Sequence, residues 1–122
     1  LKITGAIIVS TPQKIAVADV RRGISMFRAK QINIPVLGIV ENMAWFTPAE
    51  LPGNRYYIFG KGGAQELAQS ENIPVLAEIP LIQSVREAAD EGMPIASQES
   101  ASAVFYTDLA NNLLKELHWE AQ

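Results

Sequence analysis

The chain has 122 residues, 48% of them hydrophobic, which is one domain's worth of sequence with enough apolar side chains to bury a core and excludes a disordered segment. The formal net charge is −3 and the ten Lys and Arg residues are scattered, so there is no basic footprint for nucleic acid; with no cysteine, disulfides and thiolate metal sites are excluded too. No apolar run is long enough to span a membrane and no signal-peptide pattern opens the chain, so a cytoplasmic protein is expected.

"TGAIIVS", residues 4 to 10, is a short continuous apolar run and predicts a strand buried on both faces, as in a parallel sheet. "KIAVADVRRGISMFRAKQ", residues 14 to 31, predicts a helix. Ile15, Ala18, Ile24 and Phe27 mark its apolar side, with Val17 and Val20 beside them. Arg28 and Lys30 lie toward its C-terminal end, where positive charge suits the helix dipole. Pro35 halts any helix, and Val36 to Val40 predicts a second buried strand. "AWFTPAELPGNR" reads as a loop, and "YYIF" as a brief extended segment.

Residues 62 to 72, "GGAQELAQSEN", predict a short helix, and residues 73 to 80, "IPVLAEIP", a third buried strand. "SVREAADEG" predicts another short helix with Ser84 as cap and Gly92 as stop. A final helix is predicted over residues 100 to 117, with Val104, Leu109, Leu113 and Leu117 on one face. The lone histidine, His118, sits in a polar tail and reads as a solvated side chain. Strands alternating with helices predict an α/β fold with about three parallel strands and right-handed crossovers. So narrow a sheet leaves edges open. With Leu1 rather than Met at the start, the chain reads as a piece of a longer protein whose remaining strands precede Leu1.

"FGKGG", residues 59 to 63, invites comparison with a phosphate-binding loop. In G-x-x-x-x-G-K-[ST], backbone amides wrap the phosphates, the lysine contacts them and the hydroxyl holds magnesium. Counted from Gly60, the required glycine, lysine and hydroxyl positions hold Gln65, Glu66 and Leu67. The motif fails, and the stretch reads as a glycine-led helix entry with Lys61 in solvent. No G-x-G-x-x-G occurs, and adjacent acids such as Asp90 and Glu91 point different ways on a helix. No catalytic constellation or metal-ligand set is assigned. Position singles out two places. Thr11, Pro12 and Gln13 follow the first strand, and Glu41 and Asn42 follow the second. Open α/β sheets bind ligands beyond the carboxyl ends of their strands. The Asn42 amide offers a base edge both a donor and an acceptor; the alternative for it is a turn residue or helix cap.

Four stretches in order, "GAIIVSTPQKIAVADVRRGISMF", "IPVLGIVENMAWF", "YYIFGKGGAQELA" and "IPLIQSVREAADEGMPI", resemble the Mrp (ApbC) family of P-loop ATPases. These are iron–sulfur cluster carriers related to MinD and nitrogenase iron protein. The likeness runs to about Ile95, and implies that residues 1–122 are the C-terminal part of a single P-loop NTPase domain without its Walker loop. It also implies roles. Asn42 matches the adenine-reading asparagine, Pro80 and Leu81 match the loop closing around the base, and Thr11, Pro12 and Gln13 match the segment facing nucleotide and dimer partner.

The resemblance further implies ATP with magnesium in the intact protein, a homodimer, and iron–sulfur apoproteins or scaffold proteins as partners. One departure stands out. Where many members carry C-x-x-C between "ENM" and "YIFG", this chain reads "AWFTPAELPGNRY", so a thiolate-bridged cluster cannot form there. A MinD-like dimeric switch acting on a protein partner, or a non-enzymatic α/β module, are the alternatives to a cluster carrier.

Overall fold

The computed structural model describes residues 3–48, 50–51, 53–81, 90–92 and 103–117. Within them, strands and helices alternate as β1 (Ala6–Ser10), α1 (Lys14–Arg28), β2 (Val36–Phe46), α2 (Gly63–Glu71), β3 (Val75–Leu81) and α3 (Val104–Glu116). The three strands form one parallel sheet in the order β1-β2-β3. This is the α/β architecture expected from the alternation of apolar runs and helical spacing.

Two layers of side chains hold the sheet. On one face Ile39 packs with Ile24 of α1 and with Ala64, Leu67 and Ala68 of α2, and Ile8, Val17 and Val20 close round them. On the other, Val40, Leu76 and Ile79 meet Phe105, Tyr106, Leu109 and Leu113 of α3. Burial of this apolar surface supplies the main stabilisation, at roughly 25 cal/mol per Å². Arg21 and Arg28 of α1 both reach Glu71 at the end of α2, at 3.1 and 3.0 Å, and Arg28 also donates to the Glu71 carbonyl.

Several expectations need correction. β1 is not covered on both faces: Ile7 and Val9 are exposed, Val9 by 59%, because α3 packs on β3 and β2. Ile15 is 77% exposed and Ala18 is exposed as well; the inner side of α1 is Val17, Val20 and Ile24. Helix α1 ends at Arg28 rather than residue 31, since Ala29 is extended and the chain turns through Asn33 at φ 46° before Pro35. On α3, Val104 and Leu117 are exposed, and Phe105 and Tyr106 take the inner positions with Leu109 and Leu113.

The largest difference is in β2. "AWF" is strand rather than loop, and β2 runs on to Phe46 past Met43, whose φ is 54°. An antiparallel bridge explains the extension: Phe46 N–H donates to the Tyr56 carbonyl at 2.7 Å, and Tyr56 N–H returns to the Phe46 carbonyl at 2.9 Å. Trp45 is thereby buried, with its ring edge-on to Phe105 at 5.8 Å and the Arg55 guanidinium 4.0 Å from its centre. Ser84 and most of its predicted helix, and His118, lie outside the described residues; Gly92 is left-handed at φ 72°, as a helix stop requires.

Candidate functional site

Parallel strands end on the same side of a sheet, and here the pairing sets Ser10, Glu41 and Glu78 in one row across β1, β2 and β3. The expected site residues come just after that row. Thr11, Pro12 and Gln13 lead from β1 into α1, Asn42 follows Glu41, and Pro80 and Leu81 end β3. Asn42 pairs with Ile79 in the register, so Asn42 and Pro80 sit at neighbouring positions of adjoining strands. All six residues thus belong to the carboxyl side of the sheet and come from three segments: Thr11, Pro12 and Gln13 from the β1–α1 connection, Asn42 from within β2, and Pro80 and Leu81 from the last two positions of β3.

Asn42 is half-buried and its Oδ1 accepts the Met43 N–H at 3.0 Å. That local bond fixes the direction of the amide, and no acceptor among the described residues meets its Nδ2. The left-handed backbone of Met43 is uncommon for a non-glycine residue and re-aims the strand at this point. Beside it Leu81, Met43, Phe46, Ile58 and Phe59 surround a narrow apolar crevice. Pro80 is buried, as is Pro12, whereas Gln13 is exposed. The Thr11 hydroxyl donates to Gln13 Oε1 at 3.3 Å, and the Gln13 side chain leaves the start of α1 uncapped.

The glycine-rich turn has a structural explanation. Gly60 and Gly62 have φ of 107° and 80°, a region that favours glycine. A Cβ on Gly63 would stand 2.9 Å from the Pro12 carbonyl oxygen and 3.2 Å from Val17 Cγ2. The turn therefore presses against the connection after β1. The Lys61 ammonium lies over the Tyr57 ring at 4.8 Å, on an exposed side chain.

The start of α2 already holds an acid from the chain itself. Glu41, 3% exposed, accepts the Ala64 N–H on Oε2 at 2.9 Å. It satisfies one of the free amides at a helix start and places negative charge at the positive end of the dipole. Burial pushes the Glu41 carboxyl above its ordinary value; the Ala64 bond opposes this, and the charge of Glu78 adds to it. Glu78 itself accepts from the Gln65 side chain. Acids from two strands are thus tied to the first turn of α2, which bars a phosphate from the place where "FGKGG" suggested one.

Glu41 is the residue whose role the sequence did not disclose. Its signal was a single acid closing an apolar run, but the partner that explains it lies 23 positions further on. A cavity of about 440 Å³ opens beside β3 between Trp45, Gln65, Glu78, Phe105 and Asp108, and none of the six expected residues lines it. Among the described residues no three His, Cys, Asp or Glu side chains converge as a metal would need. With no cysteine anywhere in the chain, these residues do not fit an iron–sulfur cluster.

Solved structures share this fold. A nucleotide-binding protein from Archaeoglobus fulgidus, determined in complex with ADP and with cobalt, superposes with a TM-score of 0.67 at 40% identity, over 84% of this chain and 41% of that one. The cell division ATPase MinD of Pyrococcus furiosus gives 0.64 at 23% identity, over 92% and 43%, which is a likeness of fold. The fold is that of the P-loop NTPases.

The sequence model of the ParA-type NUBPL iron-transfer P-loop NTPases matches residues 1–114, and the chain belongs to that family. Among its relatives, the iron-sulfur protein required for NADH dehydrogenase in Arabidopsis thaliana mitochondria is 45% identical over 96% of this chain. An iron-sulfur cluster carrier protein of Synechocystis is 43% identical over 91%. The chain spans only 37% and 31% of the length of these two relatives.

Proposed function

We propose that this chain is the C-terminal part of a single Mrp-type ATPase domain, and that the intact protein binds ATP with magnesium while acting in iron–sulfur cluster assembly or transfer. In this reading the chain supplies the adenine-facing rim. Asn42 reads the base edge, Leu81 and Pro80 flank the base, and Thr11, Pro12 and Gln13 face the nucleotide and a second subunit. The observation that carries the reading is the Asn42 amide, held by the Met43 N–H at the carboxyl side of the sheet next to Pro80 of the neighbouring strand. The Archaeoglobus relative, a nucleotide-binding protein solved with ADP, supports it. Phosphate chemistry falls to a loop supplied outside this chain.

The cluster is cargo in this proposal, handed to iron–sulfur apoproteins or taken from a scaffold protein by a homodimer in the cytoplasm. Its thiolates come from outside residues 1–122, which contain none. That same lack favours a second reading, a dimeric ATPase switch that carries no cluster. Anaerobic reconstitution of the intact protein separates the two: iron and sulfide retained after desalting support the carrier, and their absence supports the switch.

Asn42→Ala in the intact protein tests the rim. Losing one base-reading amide is expected to cost roughly 1 to 3 kcal/mol, about fivefold to somewhat over a hundredfold in ATP affinity. The preference for ATP over GTP should narrow with it. Calorimetric titration with both nucleotides reads the outcome, and unchanged affinity with unchanged preference would remove Asn42 from the site.

A further inference from the structure

The proposed base reader has a buried acid as its immediate neighbour. Successive strand residues point to opposite faces, so while Glu41 turns into the α2 layer, Asn42 turns away from it. Glu41 is 3% exposed and its carboxylate meets the Ala64 N–H at 2.9 Å; Ala64 itself is fully buried. A buried carboxylate is costly without a partner, and removing either member of the pair leaves the other unsatisfied. The start of α2 is in turn pinned, because Gly63 lies under the Pro12 carbonyl with no room for a Cβ. Two adjoining contacts therefore join the middle of β2, the entry of α2 and the connection after β1. Directly beyond Glu41 the chain takes the left-handed step at Met43, whose N–H holds Asn42 Oδ1.

We infer that Glu41 is a positioning residue for Asn42: anchored on the Ala64 N–H, it holds the middle of β2 in the conformation that lets the Met43 N–H orient the Asn42 amide. The consequence for nucleotide choice rests on the reading of Asn42 given above, whereas the positioning itself does not. The "FGKGG" turn then serves the base end of the site as a fixed anchor for an acid from the neighbouring strand.

Amide hydrogen exchange on the nucleotide-free intact protein tests the positioning directly. In Glu41→Ala the Ala64 and Met43 amides should both exchange about tenfold faster or more, the change expected when about 1.4 kcal/mol of local protection is lost. Glu41→Gln keeps an acceptor oxygen and should restore slow exchange at both. If the alanine variant does not fold, Glu41→Asp, one methylene shorter, is the second probe and should speed both amides. Faster exchange at Ala64 with Met43 unchanged would overturn the inference, leaving Glu41 as a helix cap.

The nucleotide arm is a double-mutant cycle with ATP and GTP. Glu41→Ala should narrow the ATP preference, and Glu41→Ala with Asn42→Ala should lose no more than Asn42→Ala does. Additive losses would show that Glu41 acts on nucleotide without Asn42 and would also overturn the inference. If Asn42→Ala leaves both affinities untouched, the base-reading role fails, and the exchange of Met43 still decides whether Glu41 positions its neighbour.

Discussion

At Glu41 the cost of burial and the gain from the Ala64 bond oppose each other, and burial is the larger. With its folded pKa above the ordinary carboxylate value, the native state holds more protons than the unfolded chain between that value and the raised one. Stability from this group therefore increases as pH falls from neutral toward the ordinary range. Glu41→Gln should flatten that part of the profile and lose little at pH 7, because the amide oxygen still receives the Ala64 N–H. Glu41→Ala should lose about 1 to 3 kcal/mol from the unsatisfied amide. Urea titrations at pH 5 and pH 7 measure both, and a wild-type contribution that weakens on acidification and vanishes in Glu41→Gln would contradict the sign.

Two glycines give a matched contrast. Gly63→Ala drives a methyl to 2.9 Å from a backbone oxygen and should destabilise by about 1 to 3 kcal/mol. Gly23→Ala, inside α1 with nothing within 4 Å of the added carbon, should stabilise by about 0.5 to 1 kcal/mol. Thermal melts of the two variants should move in opposite directions. Sequence alone identified the "GG" of the turn as a helix entry from local preference. It could not reveal that Gly63 answers to Pro12, since that constraint exists only once α2 lies against the β1–α1 connection.

Among elements, apolar runs and helical spacing located every described strand and helix, but faces and ends were less legible. Ile15 fits the apolar side of α1 by spacing and yet is exposed, because α1 meets the sheet through Val17, Val20 and Ile24. The far end of β2 depended on its bridge to Tyr56, a pairing that composition does not announce. Between α1 and α2 the Arg21 and Arg28 contacts to Glu71 are partly open to solvent, with the arginine side chains 49% and 45% exposed. Glu71→Ala should therefore cost no more than about 1 kcal/mol, most of it removed by salt. Denaturation at low and high ionic strength would check this; the Arg28 bond to the residue 71 carbonyl survives the substitution, so a large salt-independent loss would contradict the expectation.

For the molecule as a whole, the outer strand β1 shows Ile7 and Val9 to solvent, and among the described residues no strand pairs with its outer side. An uncovered apolar strand invites association. The 122-residue chain on its own should scatter light as an oligomer that dissociates on dilution, and Val9→Lys should favour the monomer. A wild-type monomer persisting at high concentration would show that this surface is tolerated. The parallel α/β class followed from buried runs that repeat between helices, whereas Asn42, expected just after a strand, lies within β2, because the bridge to Tyr56 carries that strand on to Phe46. The exposed side of β1 did not follow, because an apolar run looks the same whether its second face is covered by this chain or by something outside it.

The setting of Trp45 has an optical consequence. The only other indole is Trp119, outside the described residues, so Trp119→Phe leaves Trp45 as the single emitter. Its ring sits between the edge contact of Phe105 and the guanidinium of Arg55, and is 6% exposed. A shielded indole emits toward the blue and shifts to the red when water reaches it. Trp45 lies on the same stretch of β2 as Met43 and Asn42, so its emission colour gives a built-in dye for the end of that strand, one that needs no label and no bound nucleotide.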